Sequence, residues 1–333
     1  MEKRFDKGLV LGKFYPFTLG HKYLMDTAIT QCSTVFIMIC SISSETISGE
    51  IRYNWIKETY KDNPNVKVIW CDDELPQYPN ECRNIDEFYN LYWCPAVYSR
   101  IDKLDVIFTS ENYGDEFSKY LGIKHVLVDL ERKTVPISGT KIRNNYYNNF
   151  NYLPNIVKKY FMKKVLIIGT ESTGKSTMTK LLAEHYKCDY VEEYGRTYDE
   201  TIKPANTWIV NDYEIVAETH FKNIENKTDK LLIVDTDAIT TKLFGEMYIN
   251  NFKSNFIEDI INKQHFDLIL FLNTDVKWVD DGTREFEHRR IEHFNKIKNE
   301  LMSRNLDFKL ISGSDYDDRL QSAISHIDNL IYN

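Results

Sequence analysis

The sequence is poor in several things, and each shortage excludes a class. No apolar run approaches the ~20 residues needed to cross a bilayer, and Met1–Asp6 lead into Lys7-Gly8-Leu9-Val10 without the long apolar stretch of a secretory signal. Only 13 glycines and 8 prolines stand among 333 residues that are 42% apolar, which excludes a collagen-like or largely disordered chain. The six cysteines (Cys32, Cys40, Cys71, Cys82, Cys94 and Cys188) are scattered with no C-x-x-C pair, so they read as reduced, mostly buried thiols and not as a disulfide frame or zinc site. Positive charge is in deficit: 42 Lys+Arg against 50 Asp+Glu give a net charge of −8, which argues against a general nucleic-acid coat. A cytoplasmic protein of about two domains is expected, at roughly 150 residues per domain, with no nucleic acid and no membrane among its partners. Assembly into a homo-oligomer is left open.

What the sequence does have is two strand–turn–helix openings. Gly8-Leu9-Val10-Leu11-Gly12 leads to a helix from His21, and Lys164-Val165-Leu166-Ile167-Ile168-Gly169 to a helix from Lys175. Their separation predicts two domains, 1–155 and 156–333, joined within the Asn- and Tyr-rich 144–162 stretch. Further strands are expected at Thr34–Ile42, Val66–Trp70, Val106–Ser110 and His125–Leu130 in the first half. In the second they are expected at Cys188–Val191, Leu231–Val234, Leu268–Leu272 and Phe308–Ile311. Helical segments between them give the alternation of a parallel sheet covered on both faces, and Leu320, Ile324, Ile327 and Ile331 mark a packed closing helix.

The second half carries the stronger motif. Gly169-Thr170-Glu171-Ser172-Thr173-Gly174-Lys175-Ser176, followed by Thr177, matches the P-loop pattern between a strand and a helix. Backbone amides in such a loop curl around the β-phosphate of ATP, the Lys175 position reaches the outer phosphates, and the Ser176 hydroxyl ligates Mg²⁺. Leu231–Val234 runs into Asp235, a candidate second Mg²⁺ ligand, with Asp237 two residues on; a strand-end Asp can equally cap the next helix. Glu192 and Glu193 are candidates to accept the proton of an acceptor hydroxyl, with Tyr194 beside the substrate and Arg196 on a phosphate, against a plain ion pair. Asp280–Arg284, with Arg289 and Arg290, reads as an Arg-bearing lid over the γ-phosphate or as a solvated charged helix.

In the first half, Gly12-Lys13-Phe14-Tyr15-Pro16-Phe17-Thr18-Leu19-Gly20-His21 places Lys13, Thr18 and His21 where donors face phosphate oxygens at a helix start. Adenylyl transfer needs such stabilised charge and no covalent nucleophile. Ile137-Ser138-Gly139-Thr140-Lys141-Ile142-Arg143 is a second cradle, with Ser138 and Thr140 at a helix N-terminus and Arg143 one turn in.

These two motifs together resemble the nicotinamide-mononucleotide adenylyltransferase branch of the nucleotidyltransferases. Glu74–Asn80, Phe108–Glu111 and Val128–Lys133 agree with it. With a P-loop domain following, the order is similar to the bifunctional NadR-type family, an adenylyltransferase fused to a ribosylnicotinamide kinase. The resemblance covers nearly the whole chain. It implies an α/β fold of two domains, a Rossmann-like nucleotidyltransferase parallel sheet and then a P-loop kinase parallel sheet. It implies two ATP sites, with nicotinamide riboside, nicotinamide mononucleotide and NAD as ligands, Mg²⁺ as cofactor, and Trp93 stacking on the nicotinamide ring. Two departures stand out: only seven residues precede the first strand, which leaves no room for the helix-turn-helix of some members, and Thr18 stands where this branch usually has His. Two other readings stay beside this one: a kinase with a weak or inactive adenylyltransferase domain, and a non-enzymatic NAD or ATP sensor.

Overall fold

The computed structural model describes residues 3–278 and 287–332. The chain divides into two units, Met1–Tyr160 and Phe161–Asn333, a few residues beyond the position expected from composition. The first unit runs β1 (Phe5–Gly12), α1 (Leu19–Gln31), β2 (Cys32–Cys40), α2 (Gly49–Thr59), β3 (Val66–Cys71), α3 (Ile85–Glu87), α4 (Cys94–Tyr98), β4 (Val106–Thr109), α5 (Tyr113–Leu121) and β5 (Lys124–Leu127). It closes with α6 (Gly139–Asn144), α7 (Tyr146–Asn149) and α8 (Asn155–Phe161). The second unit runs β6 (Lys163–Gly169), α9 (Lys175–Tyr186), β7 (Asp189–Val191), α10 (Tyr194–Thr201), α11 (Val210–Glu225), β8 (Leu231–Asp235), α12 (Ala238–Tyr248) and α13 (Asn255–Lys263). After these come β9 (Leu268–Leu272), α14 (Arg290–Ser303), β10 (Lys309–Ile311) and α15 (Tyr316–Tyr332).

Among the described residues each unit holds a five-stranded parallel sheet, ordered β3-β2-β1-β4-β5 in the first and β10-β9-β6-β8-β7 in the second. The opening strand of each unit is central, which explains its unbroken apolar run. Leu9 and Val10 in β1, and Val165 to Ile168 in β6, are wholly buried because helices cover both faces. Each opening strand has later strands on both sides, so the chain leaves β1 and β6 at a topological switch point. There the carboxyl ends of the strands frame a crevice in which such sheets bind ligands. Pairing register fixes who meets there: Val10 lies beside Ile37 and Phe108, and Ile167 beside Leu270 and Asp235.

The cores follow the same logic. In the first unit Leu9, Met38, Ile107 and Phe117 pack with Phe88, Tyr89 and Trp93. In the second, Leu166, Ile168, Val234 and Phe271 pack with the inner faces of α11, α12 and α14. The strand expected to reach Leu130 stops at Leu127, because Asp129 turns the chain at φ 48°.

Candidate functional site

In the first unit the two sequence motifs meet. A Cβ on Gly20 would meet Ile137 at an ordinary 3.4 Å, but one on Gly139 would collide with the Tyr15 carbonyl oxygen. Glycine is therefore what lets α6 approach the β1–α1 loop. Arg143 seals the junction: it donates to the Tyr15 carbonyl and, at 3.1 Å, to Thr140 Oγ1, with its guanidinium over the Tyr15 ring.

His21 sits in a cleft lined by Thr18, Gly20, Ser110, Asp129, Arg132, Ile137 and Ser138, among others. Thr18 caps α1, its Oγ1 accepting the His21 amide at 3.3 Å. The Thr18 backbone amide donates to His21 Nδ1 at 3.2 Å. An amide N–H can only donate, so Nδ1 is the bare nitrogen and Nε2 carries the proton. Burial and the nearby Arg132 guanidinium push the imidazole down to about 4, against a pull from the Pro16 carbonyl, so it acts as a neutral donor near pH 7.

Other expected residues of this unit have structural partners of their own. Phe14, at φ 48°, packs its buried ring across Gly12 and edge-on to His21, supporting the histidine from behind. Lys13 pairs with Glu45 at 3.1 Å, and Glu45 also takes the wholly buried Arg52. Ser138 caps α6 through the Lys141 amide. Trp93 does not line the cleft. It is 8% exposed among Phe88, Tyr89 and Phe117 and donates its indole N–H to the Pro76 carbonyl at 3.0 Å, a core position. Two residues of the Val128–Lys133 stretch, for which the sequence carries no individual role, also line it: Asp129, which accepts the amides of Lys133 and Thr134, and Arg132.

In the second unit the P-loop needs left-handed backbone at Ser172 and Gly174. It is braced by Thr173 Oγ1 donating to the Thr170 carbonyl at 2.8 Å and by Lys175 Nζ donating to the same oxygen at 3.2 Å. Asp235 ends β8, wholly buried, and accepts the Ser176 hydroxyl. Burial and the Glu193 carboxylate lift it to about 6, against Lys175, the Ser176 bond and Arg196. Its Oδ1 is buried with no hydrogen-bond partner among the described residues.

A cavity of about 180 Å³ opens beside the loop. It is lined by Glu171 to Thr177, by Glu193, Tyr194, Gly195, Arg196 and Asp199, and by an aromatic wall of Trp208, Tyr213, Phe244 and Tyr248. The two adjacent glutamates part company here. Glu193 faces the cavity, whereas Glu192 lies exposed in an ion pair with Lys180 at 2.8 Å. Successive side chains alternate on extended backbone, so only one of the pair can face inward. Of the two candidates for proton acceptor, Glu193 lines the cavity and Glu192, for which a catalytic role is also expected, lies on the outer surface.

Asp237 is likewise corrected. Its Oδ1 caps α12 through the Thr240 amide and hydroxyl, and its Oδ2 accepts Gln264 at 2.7 Å. Both oxygens are engaged in holding a helix and Asp237 is not among the residues lining the cavity, so it takes the capping role that a strand-end Asp allows, not the substrate contact also expected of it. Arg284 lies outside the described residues. Of its neighbours, Arg289 pairs with Glu292 on its own helix, and Arg290 donates to the carbonyls of Ser172 and Val276. Sequence motifs missed the aromatic wall and His220, although Tyr213, Val216, Ala217, His220 and Ile224 recur on the buried face of α11 at helical spacing.

Comparison with known proteins agrees with this division. Residues 164–319 match a family model described as an AAA domain, and residues 8–76 one described as the citrate lyase ligase C-terminal domain. The Trifunctional NAD biosynthesis/regulator protein NadR of Escherichia coli is 29% identical over 97% of this chain and 83% of its own. The nicotinamide-nucleotide adenylyltransferase of Pyrococcus furiosus is 24% identical over 54% of this chain and 99% of its own. Among solved structures, a NadR protein in complex with NAD and AMP-PNP superposes with a TM-score of 0.72 at 20% identity, covering 100% of this chain and 98% of that one. In sequence along nearly its whole length, and in the fold of both units, the chain is similar to the NadR proteins.

Proposed function

We propose that the chain makes NAD in two steps, each using ATP and each confined to one unit. The second unit phosphorylates the 5′-hydroxyl of nicotinamide riboside, and the first joins the resulting mononucleotide to the adenylyl group of a second ATP, releasing pyrophosphate. The observation that carries this reading is the buried Asp235 at the P-loop, which accepts the Ser176 hydroxyl and keeps Oδ1 without a partner among the described residues, together with a cavity lined by that loop, Glu193 and four aromatic side chains. Support also comes from relatives, whose names state NAD biosynthesis and nicotinamide-nucleotide adenylyl transfer, and from related structures described as complexes with NR, NAD and AMP-PNP.

In the second unit Lys175 and the loop amides hold the outer phosphates, and Glu193 accepts the proton of the attacking hydroxyl. Ser176 and Asp235 fit Mg²⁺, which binds through one or two carboxylates plus phosphate and water. Among the described residues no cluster of three or more His, Cys, Asp or Glu offers a cage of protein ligands. Bound there, Mg²⁺ offsets charge on the transferring phosphoryl group.

In the first unit a phosphate oxygen of the mononucleotide attacks the α-phosphorus of ATP. The His21 Nε2–H steadies charge on the phosphates, and Thr18 and Arg143 hold the loop that carries it. The proposed setting is cytoplasmic; among the described residues no helix is long and apolar enough to cross a membrane.

Incubation with ATP, Mg²⁺ and either the riboside or the mononucleotide, with products separated by chromatography, tests both steps. NAD from the mononucleotide and mononucleotide from the riboside are expected. Turnover of neither substrate overturns the reading.

A further inference from the structure

His220 is buried on α11 at 4% exposure and lines the cavity of the second unit. Its Nε2 lies 3.1 Å from the Thr236 carbonyl oxygen. A carbonyl can only accept, so Nε2 carries the proton and donates, and in the neutral ring Nδ1 is a bare lone pair. Burial lowers the affinity of this ring for a second proton, against the pull of Glu193, which keeps the lone pair available near neutral pH. Nδ1 is buried and has no hydrogen-bond partner among the described residues. A buried acceptor left unmet is costly, so a ligand that supplies a donor to Nδ1 is favoured here.

The Glu193 carboxylate lines the same cavity, as do Glu171 and Asp199. A neutral acceptor set among carboxylates, with the Glu193 field reaching the His220 ring, calls for a ligand rich in hydroxyl donors. Thr236, which takes the His220 proton, directly follows Asp235, at φ 64°. The same histidine therefore steadies the backbone that presents the candidate metal ligand.

We propose that His220 is a specificity-determining residue of the kinase pocket, its Nδ1 accepting a hydrogen bond from a ring hydroxyl of the sugar and so selecting ribosides over deoxyribosides. The inference rests on the reading of this cavity as the acceptor site.

The experiment uses the full chain with nicotinamide riboside and its 2′-deoxy and 3′-deoxy analogues. In His220→Gln a side-chain amide can still reach the Thr236 carbonyl, but the ring lone pair is gone. In His220→Asn an acceptor stands close to the position of Nδ1. The expected result is a KM for the riboside raised about 10- to 100-fold in His220→Gln, with KM for ATP and mononucleotide adenylylation unchanged. One deoxy analogue should be equally poor for wild type and His220→Gln, and His220→Asn should restore part of the loss for the riboside. An unchanged riboside KM in His220→Gln, or an equal loss on all three sugars, overturns the assignment while leaving the kinase reading intact. Wild-type protein that phosphorylates no riboside overturns both.

Discussion

The Arg143 guanidinium donates to the carbonyl oxygen of Tyr15, joining residues 128 positions apart in sequence. Through this contact the helix that follows Ser138 is locked onto the loop that orients His21. Gly139 lies in the same seam, with its Cα so near Tyr15 that a side chain has no room. Gly139→Ala is therefore expected to lower adenylyl transfer about 10-fold or more and to destabilise the first unit by about 1–3 kcal/mol. Riboside phosphorylation in the same preparation should stay at the wild-type rate. Paired product assays with thermal melts check this, and equal loss of both activities would contradict it.

Lys175→Ala should reduce phosphoryl transfer at least 100-fold and leave mononucleotide adenylylation intact. In Asp235→Asn the Mg²⁺ concentration giving half-maximal kinase rate should rise about 10-fold or more, and a chelator should stop the wild-type kinase. A titration of rate against free Mg²⁺ reads both effects.

The adjacent glutamates separate by facing. Glu193→Gln is expected to slow the kinase about 100-fold. Glu192→Gln removes an exposed ion pair with Lys180 and should change rate and stability little. Equal losses from the two would place the proton acceptor wrongly.

His293 gives an acid-stability prediction. It is 2% exposed, and burial, helped by Lys175, holds it down to about 3, while an unfolded histidine titrates near 6.5. Between those values the unfolded chain binds the extra proton, so this residue makes stability fall as pH falls. From pH 6.5 to 4.5 its share is roughly 2–3 kcal/mol. Denaturant melts of His293→Gln should show a shallower decline than wild type across that window; matching slopes would mean that the ring titrates normally in the fold.

His21 predicts a flat profile instead. Held down to about 4, it stays neutral from pH 5 to 8, so adenylyl transfer should show no inflection near 6.5 that disappears in His21→Gln. Initial rates across that range supply the comparison.

Much of this architecture can be read from the residues because the signals are local. Val165–Ile168 are apolar on every side, which only a central parallel strand requires, and the P-loop glycine at 174 needs its left-handed turn wherever the motif occurs. Facing is a different matter. Glu192 and Glu193 are chemically alike, and which one turns inward depends on where β7 ends. Phe244 and Tyr248 stand one turn apart on α12, but Trp208 and Tyr213 join them only once α11 and α12 pack, so the spacing alone does not announce the wall. Asp235 and Asp237 look equivalent in sequence, yet one caps a helix and the other keeps an oxygen open.

That last difference bears on how variants of this chain should be scored. A growth screen that reports only NAD output would rank Asp235 and Asp237 together, because losing either silences the second unit. Yield of folded chain would set them apart: alteration at 237 is expected to let α12 fray and deplete the protein, while alteration at 235 leaves a full complement of folded chain whose second unit alone is impaired.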